Sequence, residues 1–340
     1  MPGAPKPGKL VGMNRLRWLI VALTLAVAAG GAALAFPEYK RAEWPNTDFS
    51  KASVPLDEIM SGGPPRDGIP PIDNPKFLPV SEATGLADTE PVVGLVIGGE
   101  AKAYPLSILI WHEIANDTVG GVPVAVTFCP LCNAAMVFDR RVDARVLDFG
   151  TSGMLRNSDL VMYDRQTESW WQQFLGEAII GELTGTVLKA LPSRLESWDN
   201  FRKRAPQGQV LVPNNPNMRA YGRNPYAGYD ASSRPFLYNG EAPEGVAPLS
   251  RVVSLEDRSR AWSLDLVKKK REIALEDGVV ISWSPGQNSA LGDAVIADGV
   301  DVGNILVRRK TDGDWEDVTY FVDFAFAFHA FHPDAPIHSE

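Results

Sequence analysis

Val124-Ala-Val-Thr-Phe-Cys-Pro-Leu-Cys-Asn-Ala-Ala-Met136 is the stretch from which the rest of the chain is read. Val124 to Phe128 is an apolar, partly β-branched run of strand length. Cys129 to Asn133 is a tight loop, and Ala134 to Phe138 reads as a further strand or a short helix. The Cys129-Pro130-Leu131-Cys132 turn carries the only two cysteines of the chain. Thiols confined to one turn point to use as a pair.

Outward from this unit, Val92 to Ile97 is expected as a strand ending at Gly98-Gly99, with Ala101 to Tyr104 as its hairpin partner. Pro105 suits the first turn of a helix running to about Ala115. Leu106, Ile108, Leu109, Ile110, Trp111 and Ile114 would make it apolar on nearly every side, so His112 and Glu113 would need polar partners. Downstream, strands are expected at Arg145–Phe149, Leu160–Tyr163 and Ala178–Leu183, and a helix at Leu195–Arg204. Tyr320, Val322, Phe324, Phe326 and Phe328 alternate as one aromatic strand face, with Asp323 and His329 on the other and His332 facing solvent.

The opening stretch has an echo. It aligns without gaps on Val279-Val-Ile-Ser-Trp-Ser-Pro-Gly-Gln-Asn-Ser-Ala-Leu291, and Ala101-Lys-Ala-Tyr-Pro-Leu106 matches Ser259-Arg-Ala-Trp-Ser-Leu264 upstream at nearly the same spacing. Two matches in one order suggest a duplicated strand-helix-strand unit, over about 92–150 and 250–310, within a β-rich α+β fold. Ser284 and Gln287 stand where the first copy has Cys129 and Cys132. The loop shape therefore does not require sulfur.

At the N-terminus, Arg15 and Arg17 precede an uncharged apolar run from Trp18 that ends in Ala33-Leu34-Ala35. Residues 1–35 read as a cleaved export signal or an uncleaved anchor, which places the protein in the periplasm or another extracytoplasmic space. An anchor would be its only membrane contact. Residues 36–91 are Pro-rich and read as an extended strap, with a short helix around Pro55–Met60, ahead of a domain spanning 92–340. A chain of 340 residues with 45% hydrophobic content builds an ample core, and a net charge of -9 argues against nucleic acid as a partner.

Several long motifs carry a family resemblance. Gly99-Glu-Ala-Lys-Ala-Tyr-Pro-Leu106, Trp111-His-Glu-Ile-Ala-Asn-Asp117, Val126-Thr-Phe-Cys-Pro-Leu-Cys-Asn133, Phe149-Gly-Thr-Ser-Gly153 and Asn157-Ser-Asp-Leu-Val-Met-Tyr-Asp-Arg-Gln-Thr167 closely resemble the DUF3179 family of bacterial and archaeal proteins. The likeness runs from about Leu56 through Tyr221-Gly-Arg-Asn-Pro-Tyr226 to Phe328-His-Ala-Phe331. The resemblance implies a shared fold but no activity, since the family's function is unknown.

The chemistry is argued from side chains. A Cys-Pro-x-Cys turn can be half of a metal site, which needs further ligands; His112 and one of His329 or His332 could complete a Cys2His2 or Cys2His set around zinc or copper. The same pair can act as a thiol-disulfide couple if one thiol pKa is lowered, or form a plain disulfide outside the cytosol. Glu113, Asn133 and Arg140 are the candidates for the surrounding shell, Glu113 by orienting an imidazole or by pairing with Arg140. A second constellation comprises Ser152, Asp159, Tyr163, Arg165, Trp170, Trp171, Tyr221, Asn224 and Tyr226, the inventory of a cleft for a small molecule such as a sugar. The alternative is that these groups knit turns together. Gly150-Thr-Ser-Gly153 lacks the spacing of a serine-hydrolase nucleophile turn.

Overall fold

Val92 to Ile97 does pair with the chain that returns after Gly98-Gly99, because both glycines sit at positive φ and close a two-residue hairpin turn. The structure, a computed structural model, describes residues 42–340. The N-terminal leader or anchor expected over 1–35 lies outside the described residues. Among those described, no helix is long and apolar enough to cross a membrane.

The first half contains β1 (Pro91–Ile97), β2 (Glu100–Pro105), α1 (Leu106–Leu109), β3 (Ile114–Val119), β4 (Val122–Cys129) and β5 (Ala134–Asp139). It continues through four antiparallel strands, β6 (Phe149–Arg156), β7 (Asp159–Asp164), β8 (Trp170–Gln172) and β9 (Glu177–Ile180), to β10 (Arg194–Ser197), α2 (Trp198–Arg204) and β11 (Gln209–Val212). The second half runs β12 (Arg251–Leu255), β13 (Ala261–Ser263), α3 (Leu264–Lys270), β14 (Glu272–Ala274), β15 (Val279–Ser284), β16 (Asn304–Thr311), β17 (Asp314–Asp317), β18 (Tyr320–Phe324), α4 (Ala325–Phe331) and β19 (Ile337–His338). Among the described residues strands hold 39% and helices 15%, so the protein is β-rich.

One pairing scheme occurs in both halves. β10 adds antiparallel to the first strand of the β1–β2 hairpin and β11 adds parallel to the second; β18 and β19 do the same to β12–β13. Each hairpin is followed by a helix and then by an antiparallel set, β3-β4-β5 or β14-β15-β16. β5 packs against β18, and β16 against β10. Both matched sequence stretches fall on corresponding elements, β2–α1 with β13–α3 and β4 with β15.

Three elements differ from expectation. The helix expected from Pro105 to Ala115 stops after four residues, and His112 and Glu113 lie in the turn beyond it. Glu113 adopts a φ of 59°, which ends the helix, and Ile114 begins a strand paired with Thr127. An all-apolar run fits a buried helix or a buried strand equally well, and here sheet hydrogen bonds decide. The aromatic alternation near the C-terminus spans a strand–helix junction: the chain turns helical after Phe324, because the Ala325 and Phe326 amides donate to Ser250 O and Pro248 O. His329 is thus on α4, and His332 is half-buried against Phe174 and Phe328 instead of facing solvent. Finally, Leu195 lies in β10 because residues 194–197 pair with β1; α2 begins at Trp198 under the Ser197 cap, whose Oγ accepts from Asn200 N.

Residues Asp48–Glu340 form one compact unit. Within it the Pro-rich segment supplies 3-10 turns at Leu56–Glu58 and Val80–Glu82 and edge strands at Ile59–Ser61 and Lys76–Pro79. The largest hydrophobic cluster includes Leu106, Val126, Phe128, Trp171, Phe324 and Phe328, and Cys129 and Cys132 belong to it.

Candidate functional site

β4 delivers Cys129 at its last position because Val124 through Cys129 are buried on both faces, which holds the strand in one register in the core. Pro130 starts a 3-10 turn that ends at Asn133, whose φ of 51° lets the chain reverse into β5. Asn133 Nδ2 donates to Val322 O at 3.0 Å and the Tyr229 hydroxyl donates to Leu131 O at 3.0 Å, so the turn is pinned from two directions. Both thiols are free, at 2% and 0% exposure, and the two cysteines are 4.0 Å apart. They form no disulfide.

The third member of the site comes from the β6–β7 hairpin. Asn157 and Ser158 take left-handed conformations at its tip, and Asp159 opens β7 fully buried. Asp159 Oδ2 accepts from Gln172 Nε2 at 2.6 Å and from Phe174 N at 2.9 Å. Its Oδ1 is buried with no hydrogen-bond partner among the described residues. One donor atom each from Cys129, Cys132 and Asp159 lie within 4.8 Å of one another. Cys129 Sγ also lies 3.8 Å from Ser158 O.

The electrostatics follow chiefly from burial. Desolvation pushes the Cys129 thiol up and the Cys132 thiol well up, the latter helped by Cys129 itself. Burial pushes Asp159 up to about 7 against the hydrogen bonds from Phe174, Gln172 and the Cys129 thiol. Glu113, also buried, is pushed up to about 8, with the Asp159 charge adding to the desolvation. Nearby, Asp323 is raised to about 6 by burial, although Arg258 Nη1 donates to its Oδ2 at 2.6 Å. That guanidinium is packed between the Phe174 and Phe321 rings.

The imidazoles do not join this cluster. His112 Nδ1 lies 2.7 Å from Pro70 O and its Nε2 2.7 Å from the Tyr221 hydroxyl, so both ring nitrogens already have partners. His329 is in the last turn of α4, outside the group formed by Cys129, Cys132 and Asp159. Arg140 does not pair with Glu113: it donates to Leu147 O, Asp148 and Asp117 O.

The polar and aromatic residues expected to line a cleft disperse into structural roles, Asp159 and Tyr226 apart. Ser152 Oγ donates to Val161 O across the bulge between β6 and β7. Tyr163 OH donates to Asp67, and Arg165 Nη1 to Asp73. Trp170 and Trp171 are core residues, the latter donating Nε1 to Asp164. Tyr221 meets His112, while Asn224 Nδ2 donates to Asp293 O and its Oδ1 accepts from Tyr226 N. The Tyr226 hydroxyl is raised chiefly by burial and then by the charges of Glu113 and Cys129. Tyr229, Phe174 and Arg258 carried no sequence signal, since only the chain's return brings them to the turn.

A family model described as "Protein of unknown function (DUF3179)" matches residues 66–335. The chain belongs to the DUF3179 family. No curated protein and no solved structure shows significant similarity to it.

Proposed function

We propose that this DUF3179 member is an exported metal-binding protein in which Cys129, Cys132 and Asp159 hold a transition-metal ion such as copper or zinc. The observation that carries the reading is Asp159, whose Oδ1 is buried beside two buried thiols with no N–H or O–H donor among the described residues, the carboxylate meeting there only the weakly donating Cys129 thiol. A buried acceptor left unpaired costs about 1–3 kcal/mol, and more when charged. A cation would remove that cost. Two thiolates bound at about 2.3 Å to one tetrahedral ion lie roughly 3.8 Å apart, close to the 4.0 Å between these cysteines. When bound, the ion would supply a fixed positive charge and a Lewis-acidic centre, while Gln172 and the Phe174 amide orient the carboxylate.

A thiol-redox role fits less well. Both thiols are raised instead of lowered, and the turn is a three-residue 3-10 segment, too short to lower a thiol pKa by its dipole. Export is supported by the basic and apolar N-terminal pattern ending in Ala33-Leu34-Ala35. A duplicated origin for the two halves is supported by the shared order β10-β1-β2-β11 and β18-β12-β13-β19.

Metal analysis of protein purified from its native compartment tests the reading. Wild type should carry stoichiometric metal, and the Cys129→Ser, Cys132→Ser double variant none. Metal-free wild type with thiols that are oxidised and resist mild reductant would overturn it.

A further inference from the structure

We propose that Asp159 selects the ion, so that the site takes a divalent, borderline-soft cation of the zinc type in preference to copper(I). This rests on the metal-binding reading above and names the class of ion it takes. The donor set is two sulfurs and one carboxylate oxygen. Loading deprotonates both thiols and leaves three anionic donors, so a divalent ion brings the cluster to one net negative charge and a monovalent ion leaves two. Each uncompensated buried charge costs several kcal/mol.

Among the described residues the surroundings supply no free positive charge to make up the difference. Arg258 is the guanidinium in electrostatic reach of Asp159, and its charge is engaged by Asp323 at 2.6 Å. Glu113, the other carboxyl in reach, adds acid instead of base. A second positive charge must therefore come from the ion.

The carboxylate is also unable to stand aside. Gln172 Nε2 and the Phe174 amide hold Oδ2, and the residue has 0% exposure, so Oδ1 does not face bulk solvent. Copper(I) is served by soft sulfur donors and would leave that oxygen unpaired in the core. Zinc accepts sulfur and carboxylate oxygen together. A mixed set with a fixed oxygen thus disfavours the softer, singly charged ion twice over, by charge and by donor type.

The test is an anaerobic competition on the full, reduced protein, with zinc(II) and copper(I) each titrated against a chromophoric chelator. Wild type should retain zinc when one equivalent of buffered copper(I) is offered. Cobalt(II) should give a sulfur-to-metal charge-transfer band of two-thiolate intensity. Asp159→Asn should weaken zinc roughly tenfold or more while moving copper(I) much less, and Asp159→Cys should shift the preference towards copper(I). Stoichiometric displacement of zinc by copper(I) from wild type overturns the inference without needing a variant to fold. Equal weakening of both ions in Asp159→Asn overturns it as well. If wild type binds neither ion, the metal-binding reading itself has failed.

Discussion

The turn after β4 and the turn after β15 stand at corresponding places in the two halves, and they treat their carboxylates in opposite ways. After β15 the chain runs through Ser284-Pro-Gly-Gln287, and the acid is local: Asp301 Oδ1 accepts from Gly286 N at 3.0 Å, Gln287 N at 3.2 Å and Gly303 N at 2.8 Å. Ser284 is exposed. After β4 the acid, Asp159, arrives from a separate hairpin and keeps one oxygen open beside two buried sulfurs. A carboxylate saturated by backbone amides closes a loop. One that is buried and unsaturated is held for something else to complete. The two turns share a strand-turn-strand scaffold, and only the first sets an open carboxylate oxygen beside two thiols.

The largest effect expected from this contrast concerns the carboxylates on β10 and β18. Glu196 and Asp323 each stand one residue before a helix cap, and each is held by an arginine: Arg204 for Glu196, Arg258 for Asp323. Arg258 and Asp323 are 7% and 0% exposed at the side chain, against 20% and 5% for Arg204 and Glu196. Removing one partner of a buried pair strands the other, so Arg258→Leu should cost about 3–5 kcal/mol. Arg204→Leu should cost about 1–3 kcal/mol, because water reaches that pair more readily. Urea unfolding of both variants checks this. Equal losses would mean that the two halves bury their carboxylates to the same effect.

The next effect separates loop closure from ion binding. Asp301→Asn should destabilise by about 2 kcal/mol, through weaker acceptance from three amides, and leave bound metal unchanged. Asp159→Asn should do the reverse in metal-free protein. Its stability should move by less than about 1 kcal/mol, since a desolvated acid is replaced by a neutral isostere, while zinc binds roughly tenfold or more weakly. Calorimetry paired with metal analysis reads both quantities. A destabilised, metal-competent Asp159→Asn would place the two turns in one class.

How much of this was legible beforehand depended on the range of the interactions. The β1–β2 hairpin, β4, the tight turn and the echo at Val279 were readable, because glycine turns, apolar runs and repeated strings are local. The helix expected over Pro105–Ala115 was not, because pairing of Ile114 with Thr127 and the left-handed Glu113 outcompete an apolar run with no period of its own. The cysteines were readable as a pair, but their third partner was not. Asp159 reaches the turn through the β6–β7 hairpin, and nothing in its spacing from Cys129 records that return. His112 was the more visible candidate in sequence, and the fold gives its nitrogens to Pro70 and Tyr221.

The smallest effect compares the ends of α2 and α4. Both helices finish on a residue of nearly identical backbone, Ala205 at φ -134°, ψ 60° and His332 at φ -136°, ψ 65°. α2 has a methyl group there and α4 an imidazole, tilted against the Phe174 and Phe328 rings, whose Nε2 is buried without a hydrogen-bond partner among the described residues. Burial, helped by the Arg258 charge, lowers the His332 pKa to about 4. A histidine lowered on folding contributes stability above its unfolded pKa of about 6.5 and loses it as pH falls towards the folded value. Discounted for partial exposure, the loss between pH 7 and pH 4.5 should be roughly 1–2 kcal/mol. Substituting the corresponding methyl, His332→Ala, should remove that slope even though it leaves a small cavity at every pH. The quantity to read is the difference in urea midpoint between pH 7 and pH 4.5 for each protein. A variant whose midpoint falls in parallel with wild type would assign the acid sensitivity to groups that both halves share.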